Sequence, residues 1–146
     1  MEIKVKKLKD KATMPTRGSE YAAGYDLYAC IDEPILIKAG ETVKIPSGLS
    51  FEVPIGYAGF VFARSGLATK NGLAPANKVG VCDCDFRGDY TIALHNHNST
   101  RNEVVEPNER IAQVVFMPYL ETTLVLSDEL TDTKRGTNGF GSTGSN

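Results

Sequence analysis

The chain has 146 residues, enough for one compact domain and too few for two that each bury a good core. Its 16 basic and 18 acidic residues leave a formal charge of −2, without the basic excess that coating a nucleic acid requires, so no direct nucleic-acid binding is expected. Hydrophobic content of 41% is globular rather than disordered, and 14 glycines with 7 prolines announce frequent turns. No apolar run approaches the ~20 residues of a membrane span. The opening MEIKVKKLKD lacks the apolar stretch of a secretory signal. An intracellular protein, cytoplasmic or nuclear and off the membrane, is the expectation. Three cysteines, Cys30, Cys82 and Cys84, are odd in number and make no disulfide framework.

In chain order the apolar residues keep a period of two. Ile35 and Ile37, then Val43 and Ile45, flank the turn signal Lys38-Ala39-Gly40-Glu41. Leu49, Phe51 and Val53 alternate with Ser50 and Glu52 and run into Pro54-Ile55-Gly56-Tyr57. Residues 64–72 break the pattern and predict a short helix, with Ser65 as N-cap and Gly72 as terminator. Ile92 and Leu94 resume the alternation, and Glu106-Pro107-Asn108-Glu109 turns the chain. Ile111 to Phe116 and Leu124 to Leu126 read as further strands. Many short strands at this spacing predict an all-β sandwich, jelly roll or barrel.

Residues 127–146 differ in kind: 13 of the 20 are Gly, Ser, Thr or Asn, and no strand pattern survives past Leu130. Such a segment buries too little surface to order itself. It is a frayed terminus, or else a mobile lid in which Arg135 meets phosphate, glycines allow close approach and Phe140 stacks. Gly139 to Gly144 matches G-x-G-x-x-G, but a dinucleotide fold needs a strand before it and a helix after it.

Other residue types admit chemistry with an ordinary alternative beside it. Cys82, Cys84, His95 and His97 could ligate a metal, yet C-x-C and H-x-H are not zinc-module spacings, and residues two apart on a strand commonly just pack together. Asp83 and Asp85 could share a face among apolar neighbours, as a general base or an anchor for metal-bound water, or they belong to a charged turn. Arg64-Ser65-Gly66 offers a guanidinium, a hydroxyl and free N–H groups to an anion, while capping explains Ser65 equally well.

The order of these pieces is more specific than any one of them. Ala23-Gly24-Tyr25-Asp26-Leu27, Arg64-Ser65-Gly66, Gly80 to Gly88, Glu109-Arg110-Ile111-Ala112-Gln113 and Arg135 to Gly144 together resemble the five ordered motifs of the trimeric dUTPases, from about residue 22 to 144. The resemblance implies an all-β jelly-roll subunit with one short helix, a β domain over residues 1–126, and a flexible C-terminal arm over 127–146. It implies a homotrimer with sites at subunit interfaces, each drawing on several chains. The implied reaction is Mg²⁺-dependent hydrolysis of dUTP to dUMP and pyrophosphate by water attack on the α-phosphorus. A dCTP deaminase-like enzyme, or a nucleotide-sensing regulator on the same scaffold, is the alternative; a deaminase needs a glutamate where this chain has Asp83 and Asp85.

Carried over residue by residue, the resemblance makes Asp83 the catalytic base and a partner of the sugar 3′-hydroxyl. Phe86 stands where the family has tyrosine, its ring packing on the deoxyribose and excluding a 2′-hydroxyl. Asn77 and the backbone of Gly80, Val81 and Cys82 would read the uracil edge in a hairpin too narrow for a thymine methyl. Arg64, Ser65, Gly66 and Gln113 would hold phosphates, and Asp26 would help place the metal's water shell. From the arm, Arg135 would meet the γ-phosphate, Phe140 would stack on uracil, and Gly141, Ser142 and Thr143 would wrap the phosphates. Ala63 replaces a frequent proline, while Asn108 and Asn138 replace common glycines; asparagine tolerates the left-handed conformation better than most residues.

Overall fold

The alternating apolar residues form short strands throughout the described chain, which is residues 1–139 of the computed structural model. The strands are β1 (Lys4–Lys7), β2 (Thr16–Arg17), β3 (Tyr25–Tyr28), β4 (Ile35–Ile37), β5 (Thr42–Ile45) and β6 (Leu49–Glu52). After them come β7 (Tyr57–Phe62), β8 (Leu73–Pro75), β9 (Gly80–Cys82), β10 (Ile92–Asn96), β11 (Glu103–Val105) and β12 (Arg110–Pro118). A five-stranded sheet has the order β2-β3-β12-β7-β9, and a three-stranded one β5-β10-β8; β1 pairs with β6 and β11 with β4. Every pairing is antiparallel. The fold is an all-β jelly roll, with a single π-helical turn at Leu67–Asn71 among the described residues.

Leu27, Ile37, Ile45, Leu49, Leu94 and Ile111 are fully buried in one shared core. Each such side chain contributes about 1.5–3 kcal/mol of transfer free energy. The three expected turns form. Gly40 and Gly56 adopt φ of 74° and 85°, and Asn108 takes φ of 63°, the left-handed conformation expected of asparagine in a position where glycine is common.

The sequence reading departs from the structure at three places. Ser65 is not the N-cap: it is already the first helical residue, followed by Gly66 at φ −62°, no side chain caps the turn, and the Ser65 carbonyl accepts from Thr69 Oγ1 at 2.7 Å. Gly72 does end the turn, at φ 69°. Leu124, Val125 and Leu126 form no strand and are 96%, 82% and 98% exposed. Nor does β6 alternate between core and solvent. Ser50 is buried between Leu49 and Phe51, its hydroxyl donating to the Arg87 carbonyl at 2.8 Å.

One buried amide ties the β4, β10 and β11 region together. Asn96, fully enclosed, donates from Nδ2 to the carbonyls of Ile37 (3.0 Å) and Arg101 (2.8 Å), and its Oδ1 accepts from Asn98 N at 3.0 Å. Removing it takes these partners from the buried Ile37 carbonyl, the part-buried Arg101 carbonyl and the Asn98 N–H. Asn96→Ala is expected to lower unfolding free energy by about 2–4 kcal/mol in urea titration. A loss below half a kcal/mol would show that the network does not anchor this region.

Candidate functional site

Two groups of side chains stand out, and the sheet keeps them apart. The first is built on the connection between β8 and β9. These consecutive strands do not pair with each other: β8 joins β10 while β9 joins β7. The arms therefore diverge, and a cavity of about 280 Å³ opens between them. Asn77, Gly80, Val81, Cys82, Asp83 and Phe86 all line it. β9 is an edge strand, so the N–H and C=O groups on its outer side have no ladder partner. A row of free backbone donors and acceptors beside a cavity can read the edge of a planar heterocycle.

Glycine at position 80 eases the packing here: a Cβ would lie 3.3 Å from both Asn77 Nδ2 and Val61 Cβ, a tight contact that the bare Cα avoids. Cys82 is half-buried, and burial pushes its thiol pKa up despite the nearby Tyr90 hydroxyl, with Asp83 adding to the rise. At neutral pH it is an uncharged, soft wall of the cavity. The strand ends at Cys82. Asp83 opens a turn closed by Phe86 N donating to its carbonyl at 3.1 Å, and both Asp83 and Asp85 are exposed. The alternation that would place these two carboxylates on one strand face therefore does not apply, and Asp83 alone of the pair borders the cavity.

The second group gathers around Asp26, buried on β3. Its Oδ1 accepts from Arg64 Nε at 2.8 Å and its Oδ2 from Arg110 Nη1 at 3.2 Å. Arg64 also donates to the Arg110 carbonyl at 3.2 Å, and Gln113 Nε2 donates to the Ala63 carbonyl at 2.9 Å. Gly24 makes room for this: a Cβ there would come within 2.8 Å of Gln113 Oε1. Beyond Arg64, Ser65 and Gly66 are exposed, with open space around Gly66. Two guanidiniums, a carboxamide and a hydroxyl on one surface suit a polyanion.

Register shows how the groups are related. Asp26 lies opposite Gln113, and Gln113 opposite Phe62, so these three share a face. Tyr25, Val114, Val61 and Gly80 make the neighbouring row, which faces the other way. The cavity-lining Val61 and Cys82 side chains and the Asp26 carboxylate are thus on opposite faces of one sheet, with β3 three strand spacings, roughly 14 Å, from β9, while Arg64 lies just past β7, the direct neighbour of β9. Arg135 joins neither group, its Nε donating to Asn138 O at 2.9 Å within a local turn. Phe140, Gly141, Ser142 and Thr143 lie outside the described residues.

Three contributors were not picked out from the sequence. Arg110 is in a motif from which only Gln113 was taken, and its tie to Asp26 spans 84 residues. Asp89 borders the cavity and accepts from Ser47 N at 3.0 Å and Gly48 N at 3.1 Å, although in the sequence it is one more charge in a charged run. Tyr90 also lines the cavity, fully buried beneath Phe86. A second cavity of about 280 Å³ lies by Met1, Ile3, Tyr25 and Phe116, but among its lining residues only Arg17 is charged. Chemistry rather than size picks out the hairpin.

A jelly roll that places a carboxylate at the mouth of a heterocycle-sized cavity and carries a polyanion surface has the architecture of a hydrolase acting on a nucleotide. The chain belongs to the dUTPase family, whose model matches residues 10–144, and it is accordingly an enzyme of the hydrolase class. It is 50% identical over 138 residues to the deoxyuridine 5′-triphosphate nucleotidohydrolase of Desulfitobacterium hafniense, covering 93% of this chain and 91% of that one. Among solved structures it is similar to a Staphylococcus bacteriophage 80alpha dUTPase variant with dUpNHpp, at a TM-score of 0.88, 26% identity and 98% coverage of both chains. A dUTPase variant from phage phi11 of S. aureus, described for its coordination of a structural Mg(II) ion, shares the fold at a TM-score of 0.79 and 21% identity, over 88% of this chain and 98% of that one.

Asp26 is the residue on which the second group depends. Its arginine partners keep 26% and 48% of their side-chain surface in solvent, which screens the pairs. Asp26→Ala should cost about 1–3 kcal/mol, and a double-mutant cycle with Arg64→Ala should give a coupling of about 0.5–2 kcal/mol. Strict additivity in that cycle would mean the pair orders nothing.

Proposed function

We propose that this enzyme hydrolyses dUTP to dUMP and pyrophosphate, with Mg²⁺, at sites shared between subunits of a homotrimer. The observation that carries the reading is the division of the site residues between opposite faces of one sheet. A cavity suited to a base and a surface suited to a triphosphate, on opposite faces, serve one substrate when different copies supply them. The relatives' names supply the substrate, and the hairpin supplies its reader: unpaired backbone of Gly80, Val81 and Cys82 beside the Asn77 amide. Cytosine reverses the donor–acceptor pattern of uracil and would leave buried groups unpaired.

Phe86 covers the deoxyribose and leaves no room for a 2′-hydroxyl. Asp83 takes the 3′-hydroxyl, orients the attacking water and accepts its proton as the water attacks the α-phosphorus. An exposed carboxylate at the cavity mouth is free for this work. A neighbouring copy contributes Arg64, Ser65, Gly66 and Gln113 to the phosphates, with Asp26 and Arg110 holding the guanidinium of Arg64 in place. The donor set suits magnesium held mainly by phosphate oxygens and water. Each Asp26 oxygen accepts one arginine bond and keeps a further lone pair for a metal-bound water. When bound, Mg²⁺ neutralises developing charge on the triphosphate.

Residues 1–126 form the β domain in this reading, and 127–146 an arm that closes over the nucleotide. Arg135 then reaches the γ-phosphate, Phe140 stacks on uracil, and Gly141, Ser142 and Thr143 wrap the phosphates. Closure expels water and completes the site. The activity keeps uracil out of DNA and supplies dUMP for thymidylate synthesis, in an intracellular setting. No helix among the described residues is long and apolar enough to cross a membrane.

Incubation with each deoxynucleoside triphosphate and Mg²⁺ should give dUMP and pyrophosphate from dUTP alone, abolished by EDTA. Conversion of dCTP to dUTP without pyrophosphate would replace this reading with a deaminase. Asp83→Asn should lower kcat by about 10²–10⁴ while largely keeping nucleotide affinity. Near-normal turnover in that variant would remove Asp83 as the base. Deleting residues 135–146 should leave a folded trimer with little activity, and a fully active truncation would make the arm a bystander.

A further inference from the structure

Four aromatic rings run in series from the cavity beside Met1 to the hairpin cavity. Ring centroids are 5.6 Å apart from Phe116 to Phe51, 4.4 Å from Phe51 to Tyr90, and 6.0 Å from Tyr90 to Phe86. The separations lie in, or for Phe51 and Tyr90 at the lower edge of, the range of favourable aromatic contact. Tyr90 is the fixed member next to the cavity. It is 2% exposed, and its backbone N–H donates to the Leu49 carbonyl at 3.0 Å. Its hydroxyl is wedged under Gly59, where a Cβ would sit only 2.8 Å away. That hydroxyl is buried without a hydrogen-bond partner among the described residues. Burial foremost, with the Cys82 thiol next, raises its pKa above the ordinary tyrosine value.

Phe86 is placed differently. It is 42% exposed and has no hydroxyl through which a hydrogen bond could hold it. Packing alone sets its ring. One neighbour is the Tyr90 ring; the other is Gly88, where a Cβ would fall 2.5 Å from Phe86 Cζ. Both neighbours are needed as they are, a flat ring and a bare Cα. A hydrophobic wall rejects a ligand that merely adds a hydroxyl by only about 10², so a ring free to swing aside loses most of that discrimination.

We propose that Tyr90 is a positioning residue for substrate selection: its ring holds Phe86 over the sugar subsite and so sets how strongly the enzyme rejects a ribose 2′-hydroxyl. The role rests on the dUTPase reading of the hairpin, and it belongs to the ring of Tyr90, not to its unpartnered hydroxyl. Two independent levers act on Phe86, one from each neighbour.

The experiment compares kcat/KM for dUTP and for UTP, with Mg²⁺, in the full chain and in Tyr90→Leu, Tyr90→Phe and Gly88→Ala. Tyr90→Leu should lower the dUTP-to-UTP selectivity about tenfold, chiefly through a gain on UTP. Tyr90→Phe, which keeps the ring, should restore wild-type selectivity and melt no lower than the parent. Gly88→Ala should displace Phe86 from its other neighbour and reduce selectivity in the same direction. Unchanged selectivity in both Tyr90→Leu and Gly88→Ala overturns the proposal whatever happens to melting temperature, and so does a Tyr90→Phe variant as unselective as Tyr90→Leu. Should Tyr90→Leu not fold, Gly88→Ala decides alone, with wild-type selectivity the contradicting result. A parent chain inert toward dUTP would instead sink the function on which the proposal stands.

Discussion

The carboxylate of Asp26 joins segments that are distant in sequence. It accepts from Arg64, just past the end of β7, and from Arg110, at the start of β12. With Gln113 bonded to the Ala63 carbonyl, the chain after β7 is fixed against the central strand. A buried carboxylate needs such partners, since an unpaired charge at that depth would neutralise or disrupt the strand. Once paired, it presents two guanidiniums in a set geometry on one face of the sheet. The anion-binding character of that face follows from this arrangement.

The cavity on the other face has a different origin. A hairpin whose arms paired with each other would satisfy its backbone and leave nothing to read a ligand. Here β8 and β9 go to different sheets, so the gap between them retains unpaired polar backbone groups. Glycine at position 80 eases the packing of the Asn77 amide beside that gap, and Asp89 fastens the region to Ser47 and Gly48. A rigid strand pair thus supports a site made largely of main chain, which side-chain patterns do not reveal.

The parts legible in the sequence were those with local causes. The turns at Gly40, Gly56 and Asn108 could be read because left-handed backbone selects few residue types. The strand over Ile111 to Phe116 could be read because its apolar run is long, broken only by Gln113, and the structure extends it to Arg110–Pro118. Leu124 to Leu126 form a consecutive apolar run, yet a strand also needs a partner, and these residues pair with none among the described residues. Serine commonly caps a helix, but Ser65 is already the first helical residue and the cap position falls on Arg64. Arg110 and Tyr90 were missed for a shared reason: their partners, Asp26 and Phe51, are brought to them only by the sheet. The motif from Gly80 to Gly88 runs along one cavity, which Asn77 also lines, but its residues alone do not tell that Asp26 and Gln113 face the other way.

The division of the site between two faces is the central claim, and subunit complementation tests it most directly. Asp83→Asn and Arg64→Ala chains, each inactive alone, would be unfolded together, refolded as a mixture and assayed on dUTP. If every site joins the hairpin of one copy to the Asp26 face of another, random assembly restores about a quarter of the wild-type sites. A mixture as inactive as its parents at every ratio would contradict the account, because each chain would then need both groups of its own.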